Sequence, residues 1–197
     1  MIRIPLRPRA TRVTGRAVLI ALGLCCSVGA IQNRHKPPEA FSANAQVKGA
    51  GAAAASTLMI HVDRYTTDDE RKKLVDAVNA GGPLASTLRA SAPVGRIEIG
   101  DKKWTVRYAR QQPTDKGRTI VLVIDEPMFF VGGGNPNAKP REGFDVAVVQ
   151  FYVDDVGLGQ GTMAAAAKLK TGGPGGVEVA DYAEQPIKLL TVRKIIS

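Results

Sequence analysis

The order of periodicities along the chain predicts an α+β domain. Its sheet is predominantly antiparallel and curved, sandwich- or barrel-like, with one helical pair inserted after the first strand. Three observations carry this expectation. Apolar residues alternate at strand period in a series of short runs between Leu58 and Ile195. Helix period with a complete start signal occurs once, over residues 67–82. Turn-forming clusters of Gly, Pro, Asn and Asp separate the remaining runs at the short intervals that hairpins need.

The N-terminus is read first because it distorts the composition. Arg3, Arg7, Arg9, Arg12 and Arg16 precede an apolar run from Ala17 to Ala30, and no acid occurs before Glu39. A basic segment followed by a short apolar one is the pattern of a secretory signal peptide, residues 1–30. The run falls short of the ~20 apolar residues that a transmembrane helix needs. Small residues suitable for processing stand at Val28-Gly29-Ala30 and again at Ala43-Asn44-Ala45. Export to the periplasm or the extracellular space is therefore expected, with the membrane met only through the signal peptide.

Both cysteines, Cys25 and Cys26, fall inside that segment, so the mature chain would have none and would rely on its core for stability. The net charge of +9 shrinks likewise. Without the five leader arginines, 22 basic residues face 18 acidic ones, a net +4. Nucleic acid is not an expected partner on that balance. Residues 31–55 contain Pro37-Pro38, scattered polar residues and the run Gly49 to Ala55. They read as a flexible tether, leaving residues 56–197 as the single domain.

The domain opens with a strand in which Leu58, Ile60 and Val62 alternate with Met59 and His61. The stretch DRYTTDDERKKLVDAV, residues 63–78, follows with five acids and four bases. Helix rules account for them. Thr67 and Glu70 have capping-box spacing, and Asp68 and Asp69 suit the positive end of the helix dipole. Asp68–Lys72 and Asp69–Lys73 are acid-first pairs one turn apart. Leu74, Val75 and Val78 supply the buried stripe, and Gly81-Gly82 ends the helix.

A second short helix with Leu84 and Leu88 closes before Pro93. Strands follow at Arg96 to Ile99 and at Lys103 to Arg110, the latter with Trp104, Val106 and Tyr108 on one face. Pro113 to Gly117 is a turn. Thr119 to Ile124 and Val146 to Val153 are apolar on both faces and read as strands covered on both sides. Asp154 to Gly157 has hairpin-turn chemistry. Residues 162–170 have helix-favouring alanines, but their position after the Gly157, Gly159, Gly161 series favours a returning strand. Short strands at Val177 to Val179 and Ile187 to Ile195 complete the order.

Two stretches carry a resemblance: His61 to Arg71 and the closing Tyr182 to Arg193, with Val94-Gly95-Arg96 and Arg107 to Arg110 between them. Together they resemble an uncharacterised family of bacterial exported proteins over roughly Leu58 to Lys194, the size of one domain. The resemblance implies an exported address and brings no activity, cofactor or site residue with it.

Chemistry-bearing patterns are sparse. Beyond the tether there is one histidine, His61, and no cysteine, so the usual zinc ligand sets do not arise, and no metal or cofactor is expected. Gly-x-Ser-x-Gly is absent. Gly132-Gly133-Gly134 lacks the Gly-Lys-Ser/Thr of a phosphate loop, and Gly157-Leu158-Gly159-Gln160-Gly161 lacks dinucleotide spacing. Asp154-Asp155 lacks the spaced ligands of a calcium loop. Asp125 and Glu126 could supply one carboxylate of a hydrolytic pair.

The longest irregular stretch, Pro127 to Gly143, is where a binding function is expected. Phe129 and Phe130 would offer apolar surface there, Asn135 hydrogen bonds, and Lys139 and Arg141 anion contacts, extended by Lys103 and Arg107 on the adjoining strand. The expected function is that of an exported, non-enzymatic binding or interaction domain. Its partner would be an envelope or extracellular component of apolar or anionic character, such as a lipid, glycan or acidic peptide. The alternatives are a carboxylate-dependent hydrolase of envelope or extracellular polymers and a structural component of an envelope assembly.

Overall fold

In the computed structural model nine strands form one antiparallel sheet that closes on itself. The structure describes residues 36–46, 55–80, 84–128, 142–172, 177–183 and 185–195. In chain order the elements are β1 (Glu39–Gln46), β2 (Ala55–Val62), α1 (Asp68–Asn79), α2 (Leu84–Ala90), β3 (Gly95–Ile99) and β4 (Lys102–Thr114). They continue with β5 (Gly117–Ile124), β6 (Val146–Asp154), β7 (Leu158–Thr171), β8 (Val177–Tyr182) and β9 (Ile187–Ile195). The sheet order is β6-β5-β4-β3-β2-β1-β9-β7-β8, and β6 also pairs β7. That last pairing makes an eight-stranded barrel of β1 to β7 and β9, which is one of the two forms expected. Closure removes the sheet edges that an open sheet of this size would expose.

β8 continues the line of β9 instead of adding a stave. Both run antiparallel to β7 on the edge opposite β6, β8 against 167–171 and β9 against 158–163.

Two features of the expected order are corrected. Residues 39–46, assigned to the tether, form β1, a stave paired with both β2 and β9. The helices consequently follow the second strand. The inward positions of β1 are Glu39, Phe41, Ala43 and Ala45. One charge and two alanines do not register as an apolar stripe, although the alternation has strand period. The second correction concerns β4. A register shift between Val106 and Tyr108 turns Tyr108 away from the face shared by Trp104 and Val106. A bulge of this kind inverts the sidedness of everything beyond it.

The barrel interior is filled by side chains. Phe41, Leu58, Ile60, Ile97, Ile120, Leu122, Phe151 and Met163 are all buried in it, and the Phe41 and Phe151 rings meet edge to face at 5.0 Å. An eight-stranded barrel has room for this and little more. Met128, fully buried, packs into the same core just beyond the end of β5, with its N–H donating to Ala165 O at 2.8 Å. A second apolar layer lies outside, where Leu74 of α1 and Ala85 and Leu88 of α2 cover Tyr108, Val123, Val146, Val148, Ala164 and Ala167. The expectation that β5 and β6 are covered on both faces is met over 122–124 and 146–149, whereas at Thr119, Gln150 and Tyr152 the outer face is uncovered.

Helix α1 starts as the sequence requires. Thr67 Oγ1 accepts from the Glu70 N–H at 3.2 Å, and Glu70 Oε2 accepts from the Thr67 N–H at 2.9 Å. Arg64 clamps the same carboxylate with two bonds of 2.8 and 2.9 Å. The expected ion pairs are different ones: Lys72 meets Asp76 at 2.6 Å, while Asp68 faces Arg71 and, across to β4, Arg110. Of the stripe only Leu74 is buried, with Val75 and Val78 half-buried. Gly81 and Gly82 lie outside the described residues.

Candidate functional site

The most polar part of the interior sits where β1, β5 and β9 reach one end of the barrel. Glu39, whose side chain is 0% exposed, receives Arg118 Nη2 on Oε1 at 2.7 Å and Nη1 on Oε2 at 2.8 Å. Lys194 Nζ donates to Oε1 at 2.7 Å and the Tyr65 hydroxyl to Oε2 at 2.7 Å. Arg118 Nη1 also donates to Gln111 Oε1 at 2.7 Å and to Tyr65 Oη at 3.1 Å. Its guanidinium carbon stands 5.8 Å from the Phe41 ring centre, within cation–π range. Arg118 Nε is buried and makes no hydrogen bond.

Electrostatics fix the protonation of this cluster. Burial disfavours the Glu39 anion, but hydrogen bonds from Arg118, Lys194 and Tyr65 together outweigh it and bring its pKa down to about 2. Burial, reinforced by the neighbouring Glu39 carboxylate, pushes the Tyr65 hydroxyl well above its ordinary value. A general acid or base works best with a pKa near the operating pH. Neither group meets that condition, and both are saturated with partners. The cluster is a polar plug that ties β1, the β2–α1 connection, the β4–β5 hairpin and β9 together.

The outer surface offers a different arrangement. A groove of about 460 Å³ opens over β5, β6, β7 and β9. Cross-strand register sets its lining in two rows. Thr119 stands opposite Tyr152, and Tyr152 opposite Gln160, with Leu190 beyond. Gln150 stands opposite Thr162, and Thr162 opposite Lys188. Neighbouring strands lie about 4.8 Å apart, so each row presents hydrogen-bonding side chains at that interval.

Two backbone features shape the groove. On the inward side of β7 a Cβ at Gly161 would come within 2.3 Å of Gln150 O, so only glycine lets the strand lie this close to β6. In β9, Leu190 and Thr191 together face Gln160, because the β7–β9 register shifts between Gly159 and Gly161. Thr191 takes φ 54°, uncommon for a residue with a branched Cβ. Leu190 follows inward Leu189 onto the outer face, where it is 41% exposed, and the bulge sets Thr191 outward beside it before Val192 turns in. Tyr152 is held by its hydroxyl, which donates to Lys116 O at 2.7 Å. Outward Gln150, Gln160, Thr162 and Lys188 are the reverse of the apolar band that faces lipid in a transmembrane barrel.

The residues expected to form the site are placed as follows. Phe129, Phe130, Asn135, Lys139 and Arg141 lie outside the described residues. Lys103 is exposed and faces Glu98 at 3.3 Å. Arg107 is engaged internally: Nε donates to Asp125 Oδ2 and Nη1 to Ser91 O, both at 2.9 Å. Arg89 holds the Asp125 carbonyl at 3.0 Å, so Asp125 joins α2 to the strands. His61 is on the outer face of β2, as expected. Asp154 acts in the hairpin, its Oδ1 accepting from the N–H groups of Val156 and Leu158. No three His, Cys, Asp or Glu side chains among the described residues are grouped to hold a metal. No described helix is long and apolar enough to cross a membrane.

The groove residues and the Glu39–Arg118 plug were missed in the sequence because each is assembled from segments far apart in the chain. The Gly157-x-Gly-x-Gly series was the one local signal, since alternate glycines on a strand mark a close backbone approach. No family model, curated protein or solved structure matches the chain.

Proposed function

We propose that this protein is an exported, non-enzymatic binding domain that holds its ligand in the outer groove over β5, β6, β7 and β9. The observation that carries this reading is the double row of polar side chains, half-buried Thr119 and Tyr152 with exposed Gln160, and exposed Gln150, Thr162 and Lys188, lining one groove. Recognition sites combine concavity with a few convergent polar groups. Among the described residues the groove lining contains no Asp, Glu or His. Catalysis by paired carboxylates would have no acid–base pair there. The interior supports the same reading, because its apolar positions are filled and its carboxylate is committed to Arg118 and Lys194.

The test is a titration of the isotope-labelled mature protein with envelope polysaccharide, lipid and peptide fractions, followed by backbone and side-chain amide shifts. Shifts centred on Gln150, Gln160 and Thr162 support the reading. Shifts centred on residues 129–141, with the groove silent, overturn it.

A further inference from the structure

The groove's floor narrows the chemistry of what it takes. β5, β6, β7 and β9 each have a neighbouring strand on both edges where they line it, with the ladder interrupted only at the Gln160–Leu190 bulge among the described residues. With a strand on either side of each, an extended peptide finds no free edge to extend the sheet. The groove therefore binds through side chains. Gln150 and Gln160 each present an amide that both donates and accepts, and Thr119 and Thr162 each present a hydroxyl that does the same. Groups of this kind suit a partner that is itself covered in hydroxyls. Leu190 and the Tyr152 ring add an apolar strip beside these groups, against which the non-polar face of a sugar ring can lie.

Charge adds the second constraint. Lys188 is exposed at the end of the second row and makes no ion pair with a described residue, and no acid lines the groove. Arg193, exposed on the same strand, likewise has no acidic partner among the described residues. The face is neutral and hydrogen-bonding over three strands and cationic along the fourth.

We infer that the ligand is an acidic glycan, a polyhydroxylated chain whose carboxylate meets Lys188 while its hydroxyls engage Gln150, Gln160 and Thr162. This inference rests on the groove being the binding site. Tyr152, held by its bond to Lys116 O, gives a fixed ring edge against which a sugar can lie.

The probe is a short oligouronate, compared with its carboxyl-reduced neutral counterpart, polyglutamate and inorganic phosphate, each titrated into wild type and Lys188→Gln at low salt. The oligouronate is expected to bind wild type roughly tenfold tighter than the neutral chain, the worth of a charge-assisted contact. Lys188→Gln should bring the two within about twofold of each other, as expected when a single charge is read. Equal affinity of the two chains for wild type overturns the inference, as does polyglutamate binding as tightly as the oligouronate. If a different class of molecule shifts Gln150, Gln160 and Thr162, the groove stands and the glycan assignment falls. If nothing shifts those residues while binding occurs elsewhere, the groove itself falls.

Discussion

Arg118 and Glu39, separated by 79 residues, meet as a two-bond ion pair sealed inside the barrel, with side-chain exposures of 4% and 0%. Taking two charges out of water is costly, and their mutual attraction offsets that cost only when the geometry is good and other partners are present. Here Lys194, Tyr65 and Gln111 complete the set. Removing one member leaves the other charged and uncompensated. Glu39→Ala is expected to destabilise by about 3–5 kcal/mol in denaturant melts, whereas Glu39→Leu combined with Arg118→Met should recover most of the loss. A double variant no better than the single one would show that the charges themselves are required.

The same carboxylate sets the acid limit. Its folded pKa lies at about 2, against an ordinary 4.5. A group depressed in this way contributes fully above its ordinary value, and that contribution drains as pH falls toward the folded value. Stability should therefore decline between about pH 4.5 and pH 2. Glu70, held down to about 2 by hydrogen bonds from Arg64 and Thr67, acts in the same window from an exposed position. Urea midpoints measured from pH 7 to pH 2 should fall less steeply in Glu39→Gln than in wild type. Equal slopes would mean that Glu39 titrates normally.

Helix α1 provides an independent test of local structure. Loss of the Thr67 cap in Thr67→Ala should lower stability by ~0.5–2 kcal/mol. Ligand retention by the groove should be unaffected, because the substituted residue lies among the α1 capping contacts and not in the groove lining. Melts and the oligouronate titration together check both halves of this expectation.

β1 constrains where an expected leader could be removed. Of the two small-residue positions in the sequence, Ala43-Asn44-Ala45 falls within a barrel stave whose Ala43 and Ala45 are each 1% exposed. Cleavage there would remove Glu39 and Phe41. If the expected leader is removed, the new N-terminus should lie upstream of Glu39, which mass spectrometry of the protein isolated from its producing cells and their medium can read. A protein beginning at Gln46 should lack the native near-ultraviolet dichroism of Trp104.

Much of the sheet was legible because β2, β3, β5, β6 and β9 place large apolar residues at alternate positions. What escaped has physical causes. β1 turns Glu39, Ala43 and Ala45 inward, so a hydrophobicity pattern passes over it, while the partners that make Glu39 tolerable are Arg118 and Lys194, remote in sequence. Tyr108 changed face through a bulge, which no alternation predicts. The groove residues are ordinary outward Thr, Gln and Lys until register aligns them, and register is a property of the pairing partners. The capping box, by contrast, is complete within four consecutive residues, Thr67 to Glu70, and was readable in full.

The pairing of β1 with β9 also governs when the barrel can form. The segment at 39–46 is among the earliest of the domain to be synthesised, yet its second partner, 187–195, is the last. Loop-closure entropy makes such a distant pairing slow, and topologies dominated by it fold late. Until residue 195 is available, β1 has one open edge and Glu39 lacks Lys194. A polypeptide cut short before that point cannot complete the ring. Closure of the barrel is thus deferred until β9 has emerged, so the first stave waits for the ninth strand before its second edge is covered.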